Sequence, residues 1–127
     1  MRTILLSLVM FAGMAVMAQG KKEQNDTLIF KEMKHDFGTL ALGNPVSYDF
    51  VFVNEGNKPA IVYSVNTSCQ CTSPYYPKSA VAPGASEKIT LKFDAGRSGS
   101  FHKSATVNTS MGTYTLVITG TVPEKTN

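Results

Sequence analysis

Residues 46–53 constrain the fold more than any other stretch of the chain. Val46, Tyr48, Phe50 and Phe52 alternate with Ser47, Asp49, Val51 and Val53. A period of two, rich in aromatic and β-branched types, is the pattern of a strand with one face in a core. The period returns at 86–94, where Ile89, Leu91 and Phe93 point one way and Lys88, Thr90 and Lys92 the other. It returns again in Ala105 and Val107, and in Tyr114, Leu116, Ile118 and Val122. Strands of this kind must pair into a sheet, and a sheet with an apolar face needs a second layer to cover it.

The punctuation between these runs agrees. Glu55-Gly56-Asn57-Lys58-Pro59, Pro83-Gly84 and Met111-Gly112 read as turns, because Gly reaches positive φ and Pro bars a ladder from continuing. Further strands are expected at 28–31, 34–40 and 60–66. The last is apolar on both faces, which predicts a central position. Residues 69–78 and 96–100 read as loops, with a short strand at 79–82 between them. No amphipathic helix is legible beyond residue 20. Seven or eight short strands with such turns predict an all-β, antiparallel β-sandwich, with a closed barrel as the alternative. The chain has no Trp and no widely spaced cysteine pair, which excludes the disulfide-pinned antibody version.

Residues 1–20 differ in kind from the rest. Arg2 supplies positive charge, 4–17 is almost wholly apolar, and the stretch closes on small residues. That is the layout of a secretory signal peptide, too short to span a bilayer well. Val16-Met17-Ala18 fits cleavage before Gln19, and Ala18-Gln19-Gly20 offers a second position. No cysteine lies near either, which speaks against a lipoprotein anchor. The expected product is exported, periplasmic or secreted, with no membrane attachment after cleavage. It comprises a flexible lead at 21–27, one sandwich domain at 28–122 and a tail at 123–127. Asp26-Thr27-Leu28 matches the short sites that some envelopes O-glycosylate, and the start of a strand explains it equally. Without Arg2 the 12 Lys and Arg become 11, against 9 Asp and Glu. They are scattered, with no basic stripe, so nucleic acid is not an expected partner.

Chemistry, if any, centres on Thr67-Ser68-Cys69-Gln70-Cys71-Thr72, which holds both cysteines of the chain. An exported protein meets an oxidising compartment, where neighbouring thiols oxidise or hold metal. Residues i and i+2 of an extended segment point to one side, which brings the sulfurs together. Closing a disulfide between Cys69 and Cys71 needs a bent backbone. So short a ring gains little loop-closure entropy and is easily reduced. The reading therefore stays open between a local clip, a thiol–disulfide exchange site and a metal site. Two thiolates suit Cu(I) or supply half of a zinc tetrahedron. Zinc would need His35 and His102, the only imidazoles, to converge on the loop. No Lys, Arg or His adjoins either cysteine in sequence to lower a thiol pKa.

His35 beside Asp36 does not make a catalytic pair, because adjacent strand residues face opposite ways. His102, after Phe101, reads as a solvated loop residue. No nucleophile constellation can be assembled, and 96–99 lacks the Gly-Lys-Ser/Thr ending of a phosphate loop. Tyr75 and Tyr76 lie between Pro74 and Pro77. They read either as a stiff contact surface or as a lid folded over the end of the sandwich.

Three segments taken together resemble a known bacterial family. These are His35-Asp36-Phe37-Gly38-Thr39-Leu40, residues 50–59 (Phe50-Val51-Phe52-Val53-Asn54-Glu55-Gly56-Asn57-Lys58-Pro59) and Ser68-Cys69-Gln70-Cys71-Thr72. Ala82-Pro83-Gly84, 89–93, Gly99-Ser100-Phe101-His102-Lys103-Ser104 and Leu116-Val117-Ile118-Thr119-Gly120 continue the likeness in order. The family is that called domain of unknown function 1573, and the resemblance runs from about residue 30 to 122. Gln70 departs from it, standing where the family usually has Gly. The resemblance implies an immunoglobulin-like sandwich, similar to major-sperm-protein-like and Hydin-like domains, which mostly bind or assemble and carry no chemistry. The expectation is thus a non-catalytic binding or assembly module of the bacterial envelope, without cofactor, its partner an unidentified envelope protein or glycan. Cys69, Gln70, Cys71, Tyr75 and Tyr76 are its candidate surface, and unpaired sheet edges leave a homodimer open. The alternative is a redox-active or copper- or zinc-handling protein using Cys69 and Cys71.

Overall fold

The computed structural model describes residues 27–125. The expected signal peptide, nearly all of the lead and the end of the tail lie outside the described residues. Eight strands follow one another: β1 (Leu28–Phe30), β2 (Lys34–Thr39), β3 (Val46–Asn54), β4 (Val62–Thr67), β5 (Thr72–Tyr75), β6 (Ser86–Phe93), β7 (Gly99–Thr109) and β8 (Gly112–Val122). They form two four-stranded sheets, ordered β1-β3-β6-β5 and β2-β8-β7-β4. The result is a sandwich with open edges, not a closed barrel.

The alternation in the sequence becomes the core. Phe50, Phe52, Ile89 and Leu91 of the first sheet share one buried cluster with Ala105, Val107, Leu116 and Ile118 of the second. Burying each Phe contributes on the order of 1.5–3 kcal/mol. β3 and β6 pair antiparallel from Val46↔Phe93 to Val53↔Ser86, so the apolar sets of both strands face the same way. On the outer face the same ladder sets Asp49 against Thr90, whose hydroxyl donates to the carboxylate at 2.6 Å. The Lys88 ammonium lies 3.5 Å away. The Thr90 hydrogen bond, then Lys88, hold the Asp49 carboxyl below its ordinary value. The folded state therefore gains stability above the unfolded pKa of about 3.9, and loses it as pH falls through the lower folded value. At this exposure the gain stays under about 1 kcal/mol. Thr90→Val should move the Asp49 titration, followed by NMR, back toward the ordinary carboxylate range.

Four local expectations are corrected. Residues 60–66 do not form a central strand: β4 lies at the edge of its sheet. Val62 and Val65 are buried, but the ladder slips between Val62 and Ser64, leaving Ile61 and Tyr63 exposed. A bulge thus imitated two apolar faces. Second, the segment read as a loop at 69–78 contains β5, paired with β6 from Thr72↔Phe93 to Tyr75↔Thr90. Pro74 is tolerated there because an edge strand needs hydrogen bonds on one side only. Third, β7 begins at Gly99, inside the expected loop. Fourth, 79–82 contributes an isolated bridge, Ala60 and Val81 exchanging hydrogen bonds of 2.8 and 2.7 Å.

One pairing is parallel, β2 against β8, from Lys34↔Val117 to Thr39↔Thr121, with a register shift between Asp36 and Thr39. Gly38 supplies the positive φ of 69° inside that bulge, and its N–H donates to Asp36 Oδ1 at 2.9 Å.

Candidate functional site

At Thr67 the chain leaves the second sheet, and at Thr72 it joins the first. The crossing is pinned on both sides. Ser68 N–H donates to Ser104 O at 2.9 Å, and Ser104 N–H donates to Ser68 Oγ at 3.1 Å. Asp94 N–H donates to Cys71 O at 3.0 Å. Thr67 Oγ1 and Thr72 N–H both donate to Cys69 O, at 3.0 and 3.3 Å. These bonds supply the bend that a cross-link spanning one residue requires. Cys69 and Cys71 are disulfide-bonded, with their Cα atoms 5.3 Å apart, and Gln70 is exposed at the apex.

The sulfurs have polar neighbours. Cys71 N–H donates to Cys69 Sγ at 3.2 Å. The buried Thr72 hydroxyl lies 4.0 Å from Cys69 Sγ and 3.9 Å from Cys71 Sγ. Cys71 packs against the core and lines a groove of about 400 Å³, together with Phe93, Arg97, Ser98, Phe101 and Lys103. Phe93 and Phe101 stack at 4.0 Å between ring centroids and form its apolar wall. Arg97 and Lys103 bring positive charge, while the Asp94 carboxylate on the same rim accepts from Gly96 N–H at 3.1 Å.

Tyr75 and Tyr76 part company. Tyr75 is 61% exposed on the edge strand β5. Tyr76 packs partly against the core, with Lys78 Nζ 3.3 Å from its ring centroid.

The four-ligand metal set of Cys69, Cys71, His35 and His102 is not assembled. His35 is on β2, at the opposite edge of the second sheet from β4 and the disulfide corner. Its ring stacks on Tyr48 at 3.6 Å and meets Phe37 edge-on at 4.7 Å. His102 is on β7, not in a loop; it pairs with Thr119 and is exposed on the outer face. Among the described residues no three His, Cys, Asp or Glu side chains cluster as metal ligands.

Sequence reasoning missed the groove. Its signal was there: carrying the period of Ala105 and Val107 back along the chain puts Lys103 and Phe101 on the inner face. Arg97 carried no such signal, because it reaches the groove from the β6–β7 connection.

The family described as "Protein of unknown function (DUF1573)" matches residues 28–122, the whole of the sandwich. The chain belongs to that family. No curated protein matches it. Among solved structures it is similar to a protein of unknown function from Porphyromonas gingivalis W83, at 15% identity and a TM-score of 0.66. That likeness covers 75% of this chain and 46% of the other, so the chain spans just under half the length of the Porphyromonas protein. It is also similar to the ASH/PapD-like domain (PapD-like domain 7) of human CEP192, at 10% identity and a TM-score of 0.67, covering 80% and 88% of the two chains. SSP-19, an MSP-domain protein like family member in Caenorhabditis elegans, matches at 17% identity and a TM-score of 0.53, covering 66% and 92%. At these identities the likeness is one of fold, and the fold is an immunoglobulin-like sandwich. Among the described residues no helix is long and apolar enough to cross a membrane.

Proposed function

We propose that the protein is an exported, non-catalytic binding or assembly module of the bacterial envelope that docks a protein partner along the edge begun by its disulfide. The observation that carries this is the state of β5. It is an unpaired edge, anchored at its start by the Cys69–Cys71 corner, and it presents Tyr75 at 61% exposure. β4, the edge strand of the other sheet on the same flank, adds Tyr63, 62% exposed, and the residue just before the strand, Ile61, is exposed too. Exposed tyrosines on fixed backbone give large contact area at low entropic cost. An open edge can add a partner strand. The sandwich of the CEP192 domain and of SSP-19 supports the reading at the level of architecture only.

Photocrosslinking in the source cell tests it. Benzoylphenylalanine at Tyr75 should trap a discrete adduct, whereas the same group at Ile29, half-exposed on β1 across the sheet, should not. Replacing both cysteines by Ser should cost about 1–2 kcal/mol, as expected for so short a ring, and weaken the Tyr75 adduct in a protein that still folds. No adduct at Tyr75, or the same adducts from Ile29, would sink the proposal. Recovery of the cysteine-Ser variant with an unchanged adduct would remove the disulfide from the docking surface. The native mass of protein exported and purified without reductant or chelator should be that of the oxidised, metal-free chain.

A further inference from the structure

The groove lies beside that docking edge and shares one residue with it, Cys71 of the disulfide. We infer that it is a thiol–disulfide exchange site, in which a cysteine thiolate of an exported polypeptide attacks Cys71 Sγ and displaces Cys69.

Two independent observations select the same direction. Cys71, and not Cys69, is among the residues lining the groove, so a nucleophile entering there comes upon Cys71 first. Cys69 Sγ is the sulfur that accepts a backbone hydrogen bond, from Cys71 N–H at 3.2 Å, while the Thr72 hydroxyl lies about equally near both sulfurs, at 4.0 and 3.9 Å. Donors aimed at a sulfur stabilise it as a thiolate, and a more stable thiolate leaves faster. Arg97 and Lys103 line the same groove together with the single Asp94 carboxylate, which leaves its lining net positive. Their charge favours the ionised form of an approaching thiol, which is the attacking species. The Phe93–Phe101 wall offers apolar contact for the residues flanking that cysteine. The cations absent from the sequence neighbourhood of the cysteines are supplied by the fold.

The electrons balance without a further reactant. The incoming thiolate forms a bond to Cys71 Sγ, and the Cys69–Cys71 bond breaks with its electron pair on Cys69 Sγ. A second thiolate of the same polypeptide then attacks the partner sulfur of that mixed disulfide, releasing Cys71 as thiolate. Two partner thiols become a disulfide, two protons are released or taken up by the protein thiolates, and the protein disulfide is reduced to the dithiol. Each oxidised molecule acts once.

Reduced glutathione, itself anionic, is the probe. Oxidised full-length protein is mixed with it, quenched in acid within seconds, alkylated and mapped by mass spectrometry. Glutathione should appear on Cys71 in about tenfold excess over Cys69, as a better leaving group at Cys69 dictates. The reference is the oxidised, end-blocked peptide of residues 68–72, which has the same cysteines without the groove. The folded protein should react roughly tenfold faster than the peptide, given the net positive lining of the groove. Replacing both Arg97 and Lys103 by Ala should lower the rate about threefold or more and flatten its salt dependence. Glutathione on Cys69, an even distribution, or a folded protein no faster than the peptide would overturn the inference. That comparison needs no variant, so a misfolded mutant cannot blur it. It is also separable from the crosslinking at Tyr75, which can succeed or fail independently.

Discussion

Asn54→Ala should lower the unfolding free energy by about 2–4 kcal/mol, the cost of stripping a buried amide from several partners. Asn54 ends β3 with no exposure at all. Its Nδ2 donates to Lys58 O at 2.8 Å and to Val81 O at 2.9 Å, and its Oδ1 accepts from Gly56 N–H at 2.9 Å. Its own backbone donates to Ala85 O at 3.0 Å and accepts from Gly84 N–H at 2.7 Å. One side chain thus ties the turn at 55–59 to the 81–85 segment. Alanine keeps the backbone bonds and removes the other three. Val81 O retains its bond from Ala60 N–H, so the main penalty falls on the buried Gly56 N–H and on the cavity. Asn54→Asp, though isosteric, should cost more at neutral pH. Its carboxylate cannot donate to Lys58 O or Val81 O, and it buries a charge. Urea unfolding of the three proteins decides the matter. An Asn54→Ala variant within about 0.5 kcal/mol of the parent would place that side chain among ordinary surface positions and refute the assignment.

Gly120→Ala should cost about 1–3 kcal/mol through overpacking. β8 turns Gly120 toward the interior opposite Phe101 of β7. A methyl there would meet the Phe101 ring at 2.6 and 2.8 Å and Gly38 O at 3.0 Å. The ring fills the space that a side chain at 120 would take, and from there stacks on Phe93 to wall the groove. The substitution therefore pushes on the groove as well as on the core. Phe101→Ala should relieve most of the clash. In the double variant the two costs should fall short of additive by roughly 1 kcal/mol or more, as expected for residues in contact. Strict additivity would show that Phe101 is not what Gly120 accommodates.

The parts of the fold legible in advance were those where one periodicity ruled a whole strand. β3, β6 and β8 bury the residues their alternation selects, because each packs one face and solvates the other. β4 misled because a bulge at Tyr63 breaks the period, and such a slip leaves no mark in the residue types. β5 was hidden by Pro74 and by its length. Only its pairing with β6 makes it a strand, and that pairing is decided by the neighbour. The candidate site divides the same way. Cys69, Cys71 and Tyr75 stand in one short segment, so the sequence alone sets them side by side. Arg97, Phe101 and Lys103 come to the sulfurs from β7 and the connection before it, through contacts between sheets that no local pattern records. His35 was proposed as a ligand from residue type alone, and Tyr48 claims its ring.

The parallel pairing of β2 with β8 has a consequence for how the chain is made. Residues 34–39 have β8 as their one ladder neighbour, so although made early they wait for the last of the eight strands. Contacts so distant in sequence carry a large closure entropy and fold slowly. Until β8 is in place, β2 is an unsatisfied edge bearing Phe37, and the second sheet is the β7–β4 pair alone. Closing the second sheet therefore waits for the last of the eight strands. A chain cut short of β8 is not a slightly weaker sandwich but an open one, exposed to whatever chaperone or protease meets it first.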